Sequence, residues 1–135
     1  MAVRAEEVFA HSGNVLDTGD IEPLHDMRVA TRRLRAAMEL FEPCFPRKRF
    51  RKARKEVKAL ADALGERRDR DVKIEFLESF LEKAEPADAS QVAALVVRLR
   101  VEQEEANEDL APFVSEERLA KLRRRLEKLI AEAKG

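Results

Sequence analysis

Four residues at regular spacing carry the clearest chemical pattern in the chain: His25, Arg28, Arg32 and Arg35. Read as one helix from Leu24 to about Glu42, they recur at i, i+3, i+7 and i+10. They form a cationic rail about 15 Å long, at about 1.5 Å rise per residue. Met27, Ala30, Thr31, Leu34, Ala37, Met38 and Phe41 share the other side and read as its core face. Glu39 is the next residue on the rail and the first acid there. A solvated helix face usually mixes signs, because opposite charges at i,i+4 stabilise it. Like charges one turn apart are mildly unfavourable unless an anion lies across them. Arginine dominates the rail where lysine would suffice for solubility, and its planar fork suits phosphate or carboxylate. The bland alternative is a solvated basic face.

A second basic helix reads from Arg47 to Leu64, with Phe50, Ala53, Val57, Leu60, Ala61 and Leu64 as its apolar stripe. Arg47, Arg51, Arg54 and Lys58 line one flank of that stripe, and Lys48, Lys52 and Lys55 lie further round. A short connection makes the two helices antiparallel, so their basic surfaces can face one groove. The string Gly65-Glu-Arg-Arg68-Asp69-Arg-Asp71-Val72 follows. Gly65 reads as a helix C′ residue, and Asp69 and Asp71 as first-turn acids of the next helix. The sharper reading aims Arg68 at the groove, oriented by Asp69.

His25 beside these groups would most simply donate to an anion, more strongly when protonated. His11, His25 and Cys44 show no metal-ligand spacing. No nucleophile with an activating partner stands at a recognisable spacing, so an enzyme using His25 on phosphate is a lesser reading. There is no glycine-rich phosphate loop. There is no Trp or Tyr, and the Phe residues read mostly as core, whereas single-stranded nucleic acids are held on exposed aromatic platforms. Double-stranded RNA stays open as a competitor.

The elements that must position these residues are helical throughout. In 135 residues, 44% are hydrophobic and 40% charged, with 4 Gly and 5 Pro; such a composition favours helix and one modest core. About six helices are expected: 3 to about 16, the two basic ones, about Arg67 to Lys83, one opened by a capping box at Asp88-Ala-Ser-Gln91, and one capped by Ser115. In the fourth, Val72, Phe76 and Phe80 read as apolar stripe. Leu119, Leu122, Leu126 and Leu129 form a seam for bundle packing or for a partner helix, which makes a helical scaffold the runner-up function. One cysteine, Cys44, excludes an internal disulfide and reads as a small buried hydrophobe. No signal peptide or membrane-spanning run is visible, so a cytoplasmic location is the default. Net charge is zero, but residues 25–73 hold 16 basic and 8 acidic side chains, against 1 and 5 before them and 10 and 14 after. That describes a bounded anion site better than a general nucleic-acid binder.

The string His25-Asp-Met-Arg28-Val-Ala-Thr-Arg32-Arg33-Leu-Arg35, the Arg51/Arg54/Lys58 helix ending at Leu64-Gly65, and Arg68-Asp69-x-Asp71-Val72 together resemble the conserved histidine α-helical domain, CHAD. The resemblance implies non-enzymatic binding of inorganic polyphosphate in a basic groove, with no cofactor, and allows association with polyphosphate granules. Its contacts would be His25, Arg28, Arg32, Arg33, Arg35, Arg51, Arg54, Lys55, Lys58 and Arg68; Arg33 lies off the rail and enters through the motif. A full domain of this family looks like two related bundles, and residues 1–135 resemble one half, a single antiparallel helical bundle. The expectation is therefore a C2 homodimer completing the groove, or else a piece of a longer chain.

Overall fold

Proline and serine decide where the helices begin. In a computed structural model, which describes residues 1–133, five α-helices follow one another with two single 3₁₀ turns between them. Helix α1 covers Ala2–Ala10 and α2 covers Glu22–Leu40, opened by Pro23 in its first turn. Pro43 and Pro46 hold a 3₁₀ turn at Glu42–Cys44 and start α3, Arg47–Leu81. Helix α4, Pro86–Leu110, begins at its own proline, and a 3₁₀ turn around Pro112 leads to α5, Glu116–Ala131. Ser115 caps α5 by accepting from the Arg118 N–H, and Glu116 and Glu117 complement the helix dipole. The fold is the all-α bundle the sequence implies.

One hydrophobic cluster unites α1, α2, the first half of α3, the end of α4 and α5. Val8, Leu24, Met27, Leu34, Phe50, Leu64, Leu110 and Leu126 are among its fully buried members. The Leu119, Leu122, Leu126 and Leu129 seam belongs to this cluster, so it is packing within the chain. The scaffold reading built on that seam is therefore overturned. Helix α5 runs antiparallel to α3, joined by Arg49–Glu132 and by Arg125–Glu56 at 2.9 Å.

The boundaries differ from expectation at several points. Helix α1 stops at Ala10, because the following residues turn away: Ser12 donates to the Phe9 carbonyl, and Asn14 takes a left-handed φ of 61°. Val15 still returns to the core. Asp17 accepts from the Gly19 N–H at 2.8 Å, closing the turn before α2. Asp88 does not open α4, whose N-cap is Glu85. Ala37 is half-buried and Phe41 exposed, so the core face of α2 is narrower than the pattern suggests, and Cys44 is half-buried.

The largest difference is α3, one helix of 35 residues where two were expected. Gly65 sits inside it, at a propensity cost of about 1 kcal/mol relative to Ala. The helix continues because its buried stripe does: Phe50, Ala53, Val57, Leu60, Leu64, Arg67, Asp71 and Ile74 alternate in steps of three and four without a break. The last turns of that stripe are polar. Arg67 is fully buried; its Nε donates to Asp71 Oδ1 at 2.8 Å, and its Nη1 to the Val15 carbonyl at 3.0 Å and to Asn107 Oδ1 at 2.7 Å. Its Nη2 donates to the Asp17 carbonyl at 3.2 Å, and Gln103 donates to Asp71 Oδ1 at 2.7 Å. On the opposite side, Val72, Phe76 and Phe80 are exposed rather than core.

Removing one partner of a buried, hydrogen-bonded ion pair leaves the other uncompensated. Arg67→Met is expected to cost about 3–5 kcal/mol in urea unfolding, and the adjacent Arg68→Met under about 0.5 kcal/mol. Equal effects would contradict this division of roles.

Candidate anion-binding surface

Which faces of α2 and α3 remain open follows from what packs beside them. Helix α1 takes one edge of α2: Glu7 and His11 share a cleft of about 410 Å³ with His25, Asp26, Ala30 and Arg33. Helix α5 takes the Arg49/Glu56 edge of α3. The remaining edges of α2 and α3 meet each other. By helical position, Arg28, Arg32 and Arg35 fall on the flank of α2 away from α1, and Arg51, Arg54 and Lys58 on the flank of α3 away from α5. These six positions therefore flank the α2–α3 seam. The chain reverses between the helices, so α2 and α3 are antiparallel, and Arg68 comes to the end where α2 begins. Arg67, its neighbour, reaches the Val15 and Asp17 carbonyls there.

The other sequence-selected residues lie apart. Arg33 opens into the α1 cleft beside Glu7 and Asp26, and His25 lines the same cleft. The His25 Nδ1 is buried without a hydrogen-bond partner. Lys55 stands further round α3 and is exposed. Asp69 does not orient Arg68: its carboxylate lies 3.0 Å from Lys73 and 3.6 Å from Arg70. The rail is also not opposite the core, since Arg28 and Arg35 are half-buried at the seam while Arg32 is exposed.

The seam is mostly unpaired. Among the described residues, Arg28, Arg32, Arg35, Arg51 and Arg68 form no ion pair. Arg54 meets Glu42 at 3.3 Å and stacks over the Phe50 ring, and Lys58 meets Asp62 at 3.1 Å. Both pairs are solvent-exposed, and such pairs contribute about 0–1 kcal/mol. Some cations elsewhere are paired, with Arg4–Glu7, Arg70–Glu66, Arg100–Glu78 and Arg123–Glu6 all within 3.2 Å, while others such as Arg98, Arg118 and Arg124 are not, among the described residues. A row of guanidinium groups with free donors, on two fixed helices, is suited to the oxygens of a multivalent anion. Among the described residues no group of His, Cys, Asp and Glu is arranged to hold a metal.

Arg67 is the structurally decisive residue that sequence reasoning passed over in favour of Arg68. Its three-and-four spacing with Leu60, Leu64 and Asp71 was the available sign. A family model described as CHAD domain matches residues 2–135, nearly the whole chain. No curated protein and no solved structure matches it.

Like charges at i,i+4 destabilise a helix by about 0.2–0.5 kcal/mol. Arg32→Gln is therefore expected to raise stability by about that much at low ionic strength. The gain should vanish as salt screens Arg28 from position 32. Thermal unfolding of both proteins across a salt series checks this; a loss of stability at low salt would show that Arg32 has a partner.

Proposed function

The chain belongs to the CHAD domain family, and we propose that it binds inorganic polyphosphate along the α2–α3 seam without catalysing a reaction on it. The observation that carries this reading is the run of guanidinium groups with no internal carboxylate: Arg28, Arg32, Arg35, Arg51 and Arg68. Among the described residues other cations also lack a partner, but these five are arginines on two adjacent antiparallel helices, within a stretch, residues 25–73, where bases outnumber acids by 16 to 8. Arg54 and Lys58 join the row once their exposed carboxylate partners are displaced. His25 lies in the α1 cleft, apart from the row. Arg33 and Lys55, off the seam, act only through the field they add.

A flexible polyanion without bases fits an open seam that offers charge but no stacking platform. Phe76 and Phe80 are exposed, but they lie beyond Arg68, in a stretch that also carries Asp69, Glu75 and Glu78, where a nucleic-acid backbone is disfavoured. The same reading includes self-association as a C2 dimer, so that two seams serve one polyanion. It also includes a cytoplasmic setting, where polyphosphate granules are found. Among the described residues, no helix is long and apolar enough to cross a membrane.

Calorimetric titration with long-chain polyphosphate, beside an equal charge of duplex RNA, tests the reading. Polyphosphate should bind more tightly, with an affinity that falls steeply as salt rises, by analogy with counterion release. Arg28→Glu/Arg32→Glu should abolish binding while the circular dichroism of the helices is retained. Unchanged affinity in that double variant would overturn the site. Phosphate released on incubation with polyphosphate and magnesium would overturn the absence of catalysis.

A further inference from the structure

The outer face of α3 beyond Arg68 is apolar and uncovered. Val72 is 45% exposed, Phe76 70% and Phe80 46%. On the same flank a recess of about 570 Å³ opens between α3 and α4, lined by Phe76, Leu77 and Leu95 with Lys73, Arg98 and Glu102 at its rim. Solvated faces of charged helices do not ordinarily carry two phenylalanines and a valine in successive turns.

The order of residues on this face identifies what fits it. Asp69, Val72, Phe76, Phe80 and Lys83 stand at −7, −4, 0, +4 and +7 relative to Phe76. Lys83 continues the helical turn, its N–H donating to the Phe80 carbonyl at 3.1 Å. Reversed end to end, the pattern matches itself in polarity, with the acid exchanged for the base. We infer that the face is the contact by which two copies of this chain associate, antiparallel, about a two-fold axis at Phe76. There Phe76 meets the partner's Phe76, and Val72 meets the partner's Phe80. Asp69, already 3.0 Å from Lys73 of its own chain, then lies opposite the partner's Lys83, which joins that pair. The contact is about 21 Å long at about 1.5 Å per residue, and the recess beside it receives the partner's aromatic ring. An isologous contact closes after two copies, whereas a foreign helix would need the opposite charge order by chance. Zero net charge removes long-range repulsion between copies. This inference deepens the self-association proposed above by naming its surface, and it does not depend on the identity of the anion.

Light scattering on size-exclusion fractions, over a range of concentrations, is expected to give a dimer. Phe76→Lys should give a monomer with unchanged helicity and a thermal midpoint that no longer rises with protein concentration. Cys44→Ser/Phe76→Cys should oxidise to a covalent dimer, because the axis brings the two sulfurs into bridging range. Cys44→Ser/Val97→Cys, on α4, should not. A wild-type monomer at every concentration would overturn both the surface and the C2 association. A dimer that survives Phe76→Lys would overturn the surface alone. Titration of Phe76→Lys with polyphosphate reads the anion site separately, since that variant leaves every seam residue in place.

Discussion

A single guanidinium, that of Arg67, holds together parts of the chain that hydrophobic packing alone would not register. It is fully buried, and three of its nitrogens reach four acceptors on three segments: Asp71, the Val15 and Asp17 carbonyls, and Asn107. Taking a cation out of water is expensive unless its hydrogen bonds are met. Here they are met only when the irregular segment before α2, the middle of α3 and the end of α4 are all in place. Asn107 extends the same lattice by donating to the Leu16 carbonyl at 2.9 Å. The geometry of an arginine fork cannot be copied by lysine, so the register is specific as well as strong. Because the segment before α2 is anchored, the start of α2 is fixed relative to α3. The placement of Arg28 and His25 relative to Arg68 follows from it.

The seam inverts this logic. Arg67 is paired and buried, while Arg28, Arg32, Arg35, Arg51 and Arg68 form no ion pair among the described residues. Helices α2 and α3 could have been stabilised cheaply by acids at i+4 positions, as Lys73 is by Asp69 and Arg70 by Glu66. The Arg28, Arg32 and Arg35 run forgoes that stabilisation over more than two turns. Such a run is tolerable because the helix is held by its buried side, where Leu24, Met27, Leu34 and Met38 are each at most 1% exposed. Packing, rather than surface charge, sets whether α2 forms.

What the sequence revealed followed from periodicity, and what it concealed followed from polar residues in apolar places. The α2 helix and the Ser115 cap are legible because each rests on a local pattern. The break expected at Gly65 was wrong because a glycine weakens a helix without ending it. The deciding contact, Arg67 with Asp71, looks in sequence like a charged turn between helices. Treating those two as members of the three-and-four stripe would have joined the helices. Phe76 and Phe80 misled in the other direction, since apolar residues at helical spacing normally mark a core. Internal packing gives no reason for glycine at position 65, where an added Cβ would touch nothing within 4 Å.

The two errors share one cause, a change of character within α3. In its first half the inner stripe is apolar, through Phe50, Val57, Leu60 and Leu64, and the outer flank is cationic. After Leu64 the inner stripe becomes Arg67 and Asp71, and the outer face becomes Val72, Phe76 and Phe80. The main hydrophobic cluster ends at the same point on the helix, with Leu64 its last α3 member. Beyond it, the buried apolar side chains among the described residues are Ile74, Leu99 and Ala106, and the hairpin of α3 and α4 is also joined by polar contacts: Arg70 to Glu102 at 3.7 Å and Arg100 to Glu78 at 2.7 Å. A helix that buries an ion pair inward and presents phenylalanine outward gains less from water exclusion than its reverse would. The arrangement leaves Val72, Phe76 and Phe80 of the isolated chain in water. Covering the outer face would take them out of it, which makes the distal hairpin the place where stability and association are most tightly coupled.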